Sequence, residues 1–197
     1  MLVLISGLPR SGKSTFADAI ESGVGGFTHV PLDKYIKEIP AGVSFLEWVD
    51  TPGCIDWELL DVHLKFLKAG KECFTPQPDW NARGRRTSEG GFAPGGRCMQ
   101  PAGIAYVIPG CHAFRTALGS NEKNLKVFME TPHETIAARL AGVASPTDPV
   151  EVTFGKYISK NWKTVENYST EADLIIRGTD DRKSQIERFL DRLASSS

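Results

Sequence analysis

The chain has only four cysteines, Cys54, Cys73, Cys98 and Cys111. No two stand at C-x-x-C spacing, and no histidine lies at ligand spacing from them. A zinc site and a disulfide framework are therefore not expected; reduced thiols in a cytoplasmic protein are. Net charge is scarce too, at −1 over 197 residues. Nothing global attracts nucleic acid or an anionic membrane, so such a partner needs a local basic patch. No apolar run approaches membrane-spanning length. The N-terminal apolar stretch has no basic segment before it and leads straight into a glycine loop, so it reads as a buried strand and not as a signal peptide. Internal repeats are absent, and so is the NKxD stretch with which a GTPase reads its base. The length fits one domain over residues 1–197.

What is present alternates. "LVLIS", "FTHV", "IAYVIPG", "LKVFMET" and "ADLIIRG" are short apolar runs of strand type. Helical patterns stand between them. The first spans about Gly12 to Glu21 and ends at "GVGG". A second follows Asp56, which can cap it; Leu59, Leu60, His63, Leu64 and Leu67 share one face, and Gly70 ends it. "HETIAARLAG", "VTFGKYISKNWKTVENY" and "DRKSQIERFLDRLA" supply the rest. Strands alternating with helices imply a parallel sheet covered on both faces. Residues 74–103 break the pattern, being rich in Gly, Pro and Arg and poor in aliphatics. They read as a long loop or a hairpin-bearing insert, and a loop of that length in a compact domain is usually functional or mobile.

The stretch "GLPRSGKST" after the first strand carries the chemistry. Gly7, Gly12, Lys13 and Ser14 complete G-x-x-x-x-G-K-[ST], between a strand and a helix. Glycines let backbone N–H groups turn toward a polyphosphate, and the helix N-terminus adds its dipole. Lys13 reaches the β- and γ-phosphates, and Ser14 offers a hydroxyl to Mg²⁺. Pro9, Arg10, Ser11 and Thr15 complete the wall of the loop. The ligand is a nucleoside triphosphate, with ATP the first choice. The fold class is then α/β, a P-loop NTPase-type three-layer sandwich with a five-stranded parallel sheet. The small size and the insert favour a kinase of a nucleoside or another small molecule over a motor ATPase.

The segments "VPLDKYI", "WVDTPGCIDWELLDVHLKFLKAGKE", "FTPQPDW" and "EADLIIRG" resemble the uridine kinase and phosphoribulokinase branch of the P-loop kinases. The resemblance covers most of the chain, although only the phosphate loop is individually specific. It implies ATP and Mg²⁺ as cofactors and Asp33 as the general base. Alternatively, Asp33 caps a helix beginning at Lys34. Asp50 matches the aspartate that holds sugar hydroxyls, or is a turn residue before Pro52. Asp56 is a helix cap. Arg139, and Arg177 on the strand leading to the adenine loop, join the phosphate loop as candidate nucleotide contacts.

Two departures from that family stand out. Pro109 occupies the place of an acidic residue that usually ends the third strand; Asp33, with Ser14, or else Glu130 could serve Mg²⁺ instead, and Glu130 could equally be a plain strand end. The lid, over about 141–153, lacks the family's clustered arginines and leaves Arg139 at its edge. Charge compensation must then come from Lys13, Arg10, and the insert arginines Arg83, Arg85, Arg86 and Arg97. With Trp80 and Phe92 nearby, those arginines suit phosphates and stacked bases; a solvated loop has the same composition. A short chain starting at its first strand, a reduced lid and an Arg/Gly-rich acceptor-side insert also resemble bacteriophage kinases that phosphorylate 5-hydroxymethyluracil in DNA. That resemblance implies a DNA acceptor and, for a phage-encoded chain, the host cytoplasm. The alternatives are a free nucleoside or small metabolite as acceptor, and a non-catalytic nucleotide-binding regulator. No membrane partner is expected.

Overall fold

The computed structural model describes residues 1–43, 45–76, 78–79, 84–85, 96–115, 124–142 and 163–195. In chain order the elements are β1 (Leu2–Ser6), α1 (Lys13–Gly23), β2 (Phe27–His29), α2 (Phe45–Val49), α3 (Trp57–Lys68), β3 (Cys73–Phe74), β4 (Pro78–Asp79) and β5 (Gly84–Arg85). They continue with β6 (Cys98–Met99), β7 (Ala105–Pro109), β8 (Asn124–Glu130), α4 (His133–Ala141), α5 (Lys163–Asn167), β9 (Leu174–Arg177) and α6 (Arg182–Ala194).

β1 is buried along its whole length. Its side chains alternate between two cores, as a strand's period of two requires. Leu2 and Leu4 enter one cluster, and Val3 and Ile5 enter the other. The main sheet has the order β2-β7-β1-β8-β9 and is parallel throughout. On one face α1 and α6 close the core through Phe16, Ile20 and Phe189. The Phe189 ring meets Phe16 at 5.9 Å and Phe27 at 5.8 Å, both edge-on, an arrangement that adds to the gain from burial. On the other face Leu60, Leu64 and Leu67 of α3, Ile136 of α4 and Val165 of α5 pack with Tyr35 and Tyr168. This is the α/β three-layer sandwich expected from the alternation of elements.

Helix ends follow their local chemistry. Asp56 accepts a hydrogen bond from the Leu59 amide at 3.0 Å, so it is the cap of α3. Asp181 caps α6 through the Ser184 amide at 3.0 Å. Of the apolar face expected on α3, Leu60, His63, Leu64 and Leu67 are buried and Leu59 is half-buried. α1 runs two residues beyond its expected end, to Gly23. The described residues of 74–103 include two short antiparallel pairs, β3 with β6 and β4 with β5. Of "VTFGKYISKNWKTVENY", the described part is α5 and the 3-10 turn after it. The lid segment from residue 143 onward lies outside the described residues. No helix among the described residues is long and apolar enough to cross a membrane.

Candidate active site

β1 has β7 on one side and β8 on the other, and the chain leaves its C-terminal end into α1. Strand order reverses there, and such a switch point opens a crevice between the outgoing connections. The glycine loop fills it. Gly7 and Gly12 have φ of 147° and 103°, and Arg10 sits in the left-handed region at 62°. Gly7 also has no room for a side chain, because a Cβ would lie 2.6 Å from the Met129 carbonyl oxygen. A turn closes inside the loop, with the Ser11 amide donating to the Leu8 carbonyl at 3.1 Å. Lys13 is 8% exposed and folds back over the loop, donating through Nζ to the Leu8 carbonyl at 2.6 Å. A bound polyphosphate would draw that ammonium away from a neutral carbonyl to a charged oxygen. Ser14 and Thr15 are exposed on the first turn of α1.

Three other segments brace this loop. Thr131 Oγ1 donates to the Ser11 carbonyl at 2.9 Å. Arg139 of α4 donates to the Arg10 carbonyl and to the Gly178 carbonyl, each at 2.8 Å. Gly178 follows β9 and lies so close that a Cβ there would stand 2.3 Å from the Ser11 carbonyl oxygen. Beside them opens a cleft of about 440 Å³, bordered by Lys13, Ser14, Thr15, Arg139, Arg182 and Gln185. Burial, and the charge of Arg139, lower the pKa of Arg182, which remains a cation. An anion between the two guanidinium groups would offset that repulsion. Gln185 is 1% exposed and donates to the Arg177 and Asp180 carbonyls at 2.7 and 3.1 Å, fixing the turn that holds Gly178.

The acceptor-side candidates stand on the same edge of the sheet. Asp33 is exposed on a 3-10 turn, Leu32–Tyr35, that follows β2. Pro31 holds the cap position, so Asp33 lies within the turn and does not cap a helix starting at Lys34. β7 separates β2 from β1; two strand spacings amount to about 10 Å, which a polyphosphate and side chains can span. The Asp33 and Asp50 segments are tied together. Lys37 N donates to the Cys54 carbonyl at 2.7 Å, Asp56 N to the Tyr35 carbonyl at 2.8 Å, and Trp48 Nε1 to the Lys37 carbonyl at 3.2 Å. Tyr35 and His63 close the floor with a buried hydrogen bond of 2.8 Å. Ser14 and Asp33 offer oxygen donors, the chemistry that suits Mg²⁺.

The structure distributes the remaining candidates unevenly. Arg177 is exposed at the end of β9, opposite Glu130 in the sheet register. Glu130 borders a separate hollow of about 200 Å³ with Thr131, His133 and Glu166. Arg97 is engaged at the root of the insert by Glu21, 3.7 Å from Asp18 and 3.3 Å from His29 Nδ1. Trp80, Arg83, Arg86 and Phe92 lie outside the described residues, and Arg85 belongs to β5. Sequence reasoning missed Thr131, Arg182 and Gln185. Thr131 follows β8, which flanks β1, and Arg182 and Gln185 follow β9, which flanks β8; only the strand order reveals this.

No family model matches the chain, and no curated protein matches it. Solved structures do. A possible uridine kinase from Bacillus stearothermophilus is similar over 89% of this chain and 88% of its own, at 20% identity and a TM-score of 0.55. A gluconokinase from Sinorhizobium meliloti matches over 98% and 91%, at 13% identity and a TM-score of 0.53. A shikimate kinase from Bacteroides thetaiotaomicron matches over 98% of both chains, at 16% identity and a TM-score of 0.56. The fold is thus an α/β fold with a five-stranded parallel sheet, shared with these three solved structures.

Proposed function

We propose that the protein is an ATP-dependent phosphotransferase that moves the γ-phosphate to a hydroxyl of a nucleoside-type acceptor. The observation that carries this reading is the complete phosphate loop at the switch point, with the buried Lys13 at its centre and Asp33 on the same sheet edge. The solved structures of like fold are named as kinases, which supports the class.

In this reading the loop amides and Lys13 hold the β- and γ-phosphates, and Arg10, Arg139 and Arg182 add positive charge around them. Ser14, with Asp33 as a second oxygen donor, would hold Mg²⁺, which would supply positive charge against that of the phosphates. Asp33 orients the acceptor hydroxyl and takes its proton as the oxygen bonds to phosphorus. The bond from the γ-phosphorus to the β–γ bridging oxygen breaks, and ADP leaves. Asp50 holds the acceptor. The specific acceptor we propose is the hydroxymethyl group of 5-hydroxymethyluracil in DNA, supported by the Arg/Gly-rich composition between residues 80 and 97 and its place after the acceptor-side block. The base would leave the stack to reach Asp33.

The test is incubation with γ-labelled ATP and Mg²⁺ against duplex DNA containing 5-hydroxymethyluracil and, separately, against free nucleosides. Label on DNA supports the specific acceptor. Label on nucleosides alone keeps the kinase and replaces that acceptor. ATP binding without transfer to any hydroxyl leaves a nucleotide-binding regulator.

A further inference from the structure

Where the resembling kinases end the third strand with a carboxylate, this chain continues Pro109-Gly110-Cys111-His112. Each of the last three residues touches a different part of the site. Ser6 Oγ donates to the Cys111 carbonyl at 2.7 Å, which holds the loop beside the residue preceding Gly7. Gly110 lies against Leu32, the neighbour of Asp33: a Cβ at position 110 would stand 2.5 Å from Leu32 Cδ2. His112 Nε2 lies 3.0 Å from the carbonyl oxygen of Val49, the last residue of α2 and the neighbour of Asp50.

The ring is placed to hold that carbonyl. His112 is only 3% exposed. A carbonyl oxygen can only accept, so the proton sits on Nε2 and the lone pair on Nδ1. Nδ1 is buried without a hydrogen-bond partner. Burial lowers the pKa of the ring; Lys13 and Arg115 act the same way, against the Val49 carbonyl and Asp50, which raise it. The imidazole is thus neutral, in the tautomer that donates to Val49. The contact joins segments 63 residues apart. An apolar side chain of the same volume would fill the space and leave the Val49 carbonyl without this donor.

We infer that His112 is a positioning residue: its Nε2–H, bonded to the Val49 carbonyl, fixes the Asp50 segment against the loop that adjoins both Asp33 and the phosphate loop. The inference rests on the reading that Asp50 belongs to the acceptor site. It assigns His112 no contact with the reacting atoms.

The experiment compares wild type with His112→Gln and His112→Asn. The Gln amide nitrogen reaches about where Nε2 stands, whereas the Asn amide is too short to reach Val49. Three quantities are measured: the acceptor KM in the labelled-ATP assay, the Kd of Mg-ATP by calorimetry, and hydrogen exchange of the amides over residues 47–56. We expect His112→Asn to raise the acceptor KM about tenfold, the effect of losing one net hydrogen bond. The Kd of ATP stays within about twofold of wild type, and exchange over 47–56 accelerates. His112→Gln should restore both. Equal acceptor KM and equal exchange in all three proteins would overturn the inference. So would a Gln variant as defective as the Asn variant, or an Asn variant that loses ATP binding along with acceptor binding. If wild type transfers phosphate to no acceptor, the kinase reading falls alone. Exchange then decides His112 by itself: a Gln–Asn split over 47–56 upholds the positioning of this segment, and no split ends it.

Discussion

Replacing Gly178 by alanine tests the way the end of β9 supports the phosphate loop. The new Cβ would stand 2.0 Å from Thr131 Oγ1 and 2.3 Å from the Ser11 carbonyl oxygen. The first contact can be relieved by rotating Thr131, which breaks its hydrogen bond to the Ser11 carbonyl. The second cannot, because the Ser11 oxygen is backbone. Overpacking of this kind costs about 1–3 kcal/mol, and the lost hydrogen bond about 1 kcal/mol. Together they amount to about 2–4 kcal/mol. At roughly 2–4 °C per kcal/mol for a chain of this size, Tm should fall by about 4–16 °C. The strain enters at Ser11, inside the loop proposed to receive the phosphates, so the Kd of Mg-ATP should rise about tenfold or more. Gly23→Ala is the control, since it adds the same methyl where no atom lies within 4 Å, at the last residue of α1. It should stabilise slightly, by about 0.5 kcal/mol. Adding Thr131→Ala to Gly178→Ala should recover only part of the loss, because the Ser11 contact remains. Thermal melts and calorimetry read both quantities. A Gly178→Ala protein with Tm within about 1 °C of wild type and an ATP Kd within about twofold would refute this reasoning.

Lys13→Ala should abolish phosphoryl transfer while the fold persists, since the ammonium neutralises charge on the transferring group; turnover within about tenfold of wild type at saturating ATP would remove Lys13 from the mechanism. Asp33→Asn should lower turnover severely with little change in ATP affinity, because the amide cannot take the hydroxyl proton while its oxygen can still face the metal; lost ATP affinity with turnover kept at saturation would leave Asp33 a metal or nucleotide ligand only and remove it as the base. Asp56→Ala should cost about 1 kcal/mol of stability, seen as a Tm lower by roughly 2–4 °C, and leave turnover intact; a turnover loss would show that Asp56 does more than cap α3. His29 and His112 both have their pKa lowered below the ordinary 6.5, chiefly by burial. The unfolded chain therefore takes up these protons first, so stability is full above pH 6.5 and declines as pH falls toward the lowered values. Melts between about pH 5 and 8 should show that decline, and His29→Gln together with His112→Gln should flatten it.

Much of the architecture can be read from local patterns. "LVLIS", "IAYVIPG" and "LKVFMET" are short apolar runs, and backbone rules allow them little but buried strands. Gly7 and Gly12 announce a tight loop between strand and helix because only glycine accepts the backbone angles there without strain. Asp56 declares its helix because a carboxylate three residues before a free amide can accept from it. Each of these depends on neighbours within a turn or two of chain, so the sequence alone determined them. Strand order is different. It arises from which apolar faces pack together, and that is settled between segments more than a hundred residues apart. Only the tertiary structure sets β1 between β7 and β8, and so brings Thr131, Gly178 and Arg182 to the phosphate loop. It also gives Arg97 to the pairing with Glu21 at the root of the insert. Finally, it turns an unremarked His112 toward the Val49 carbonyl, because burial admits a polar ring only where a partner for its N–H is already in place.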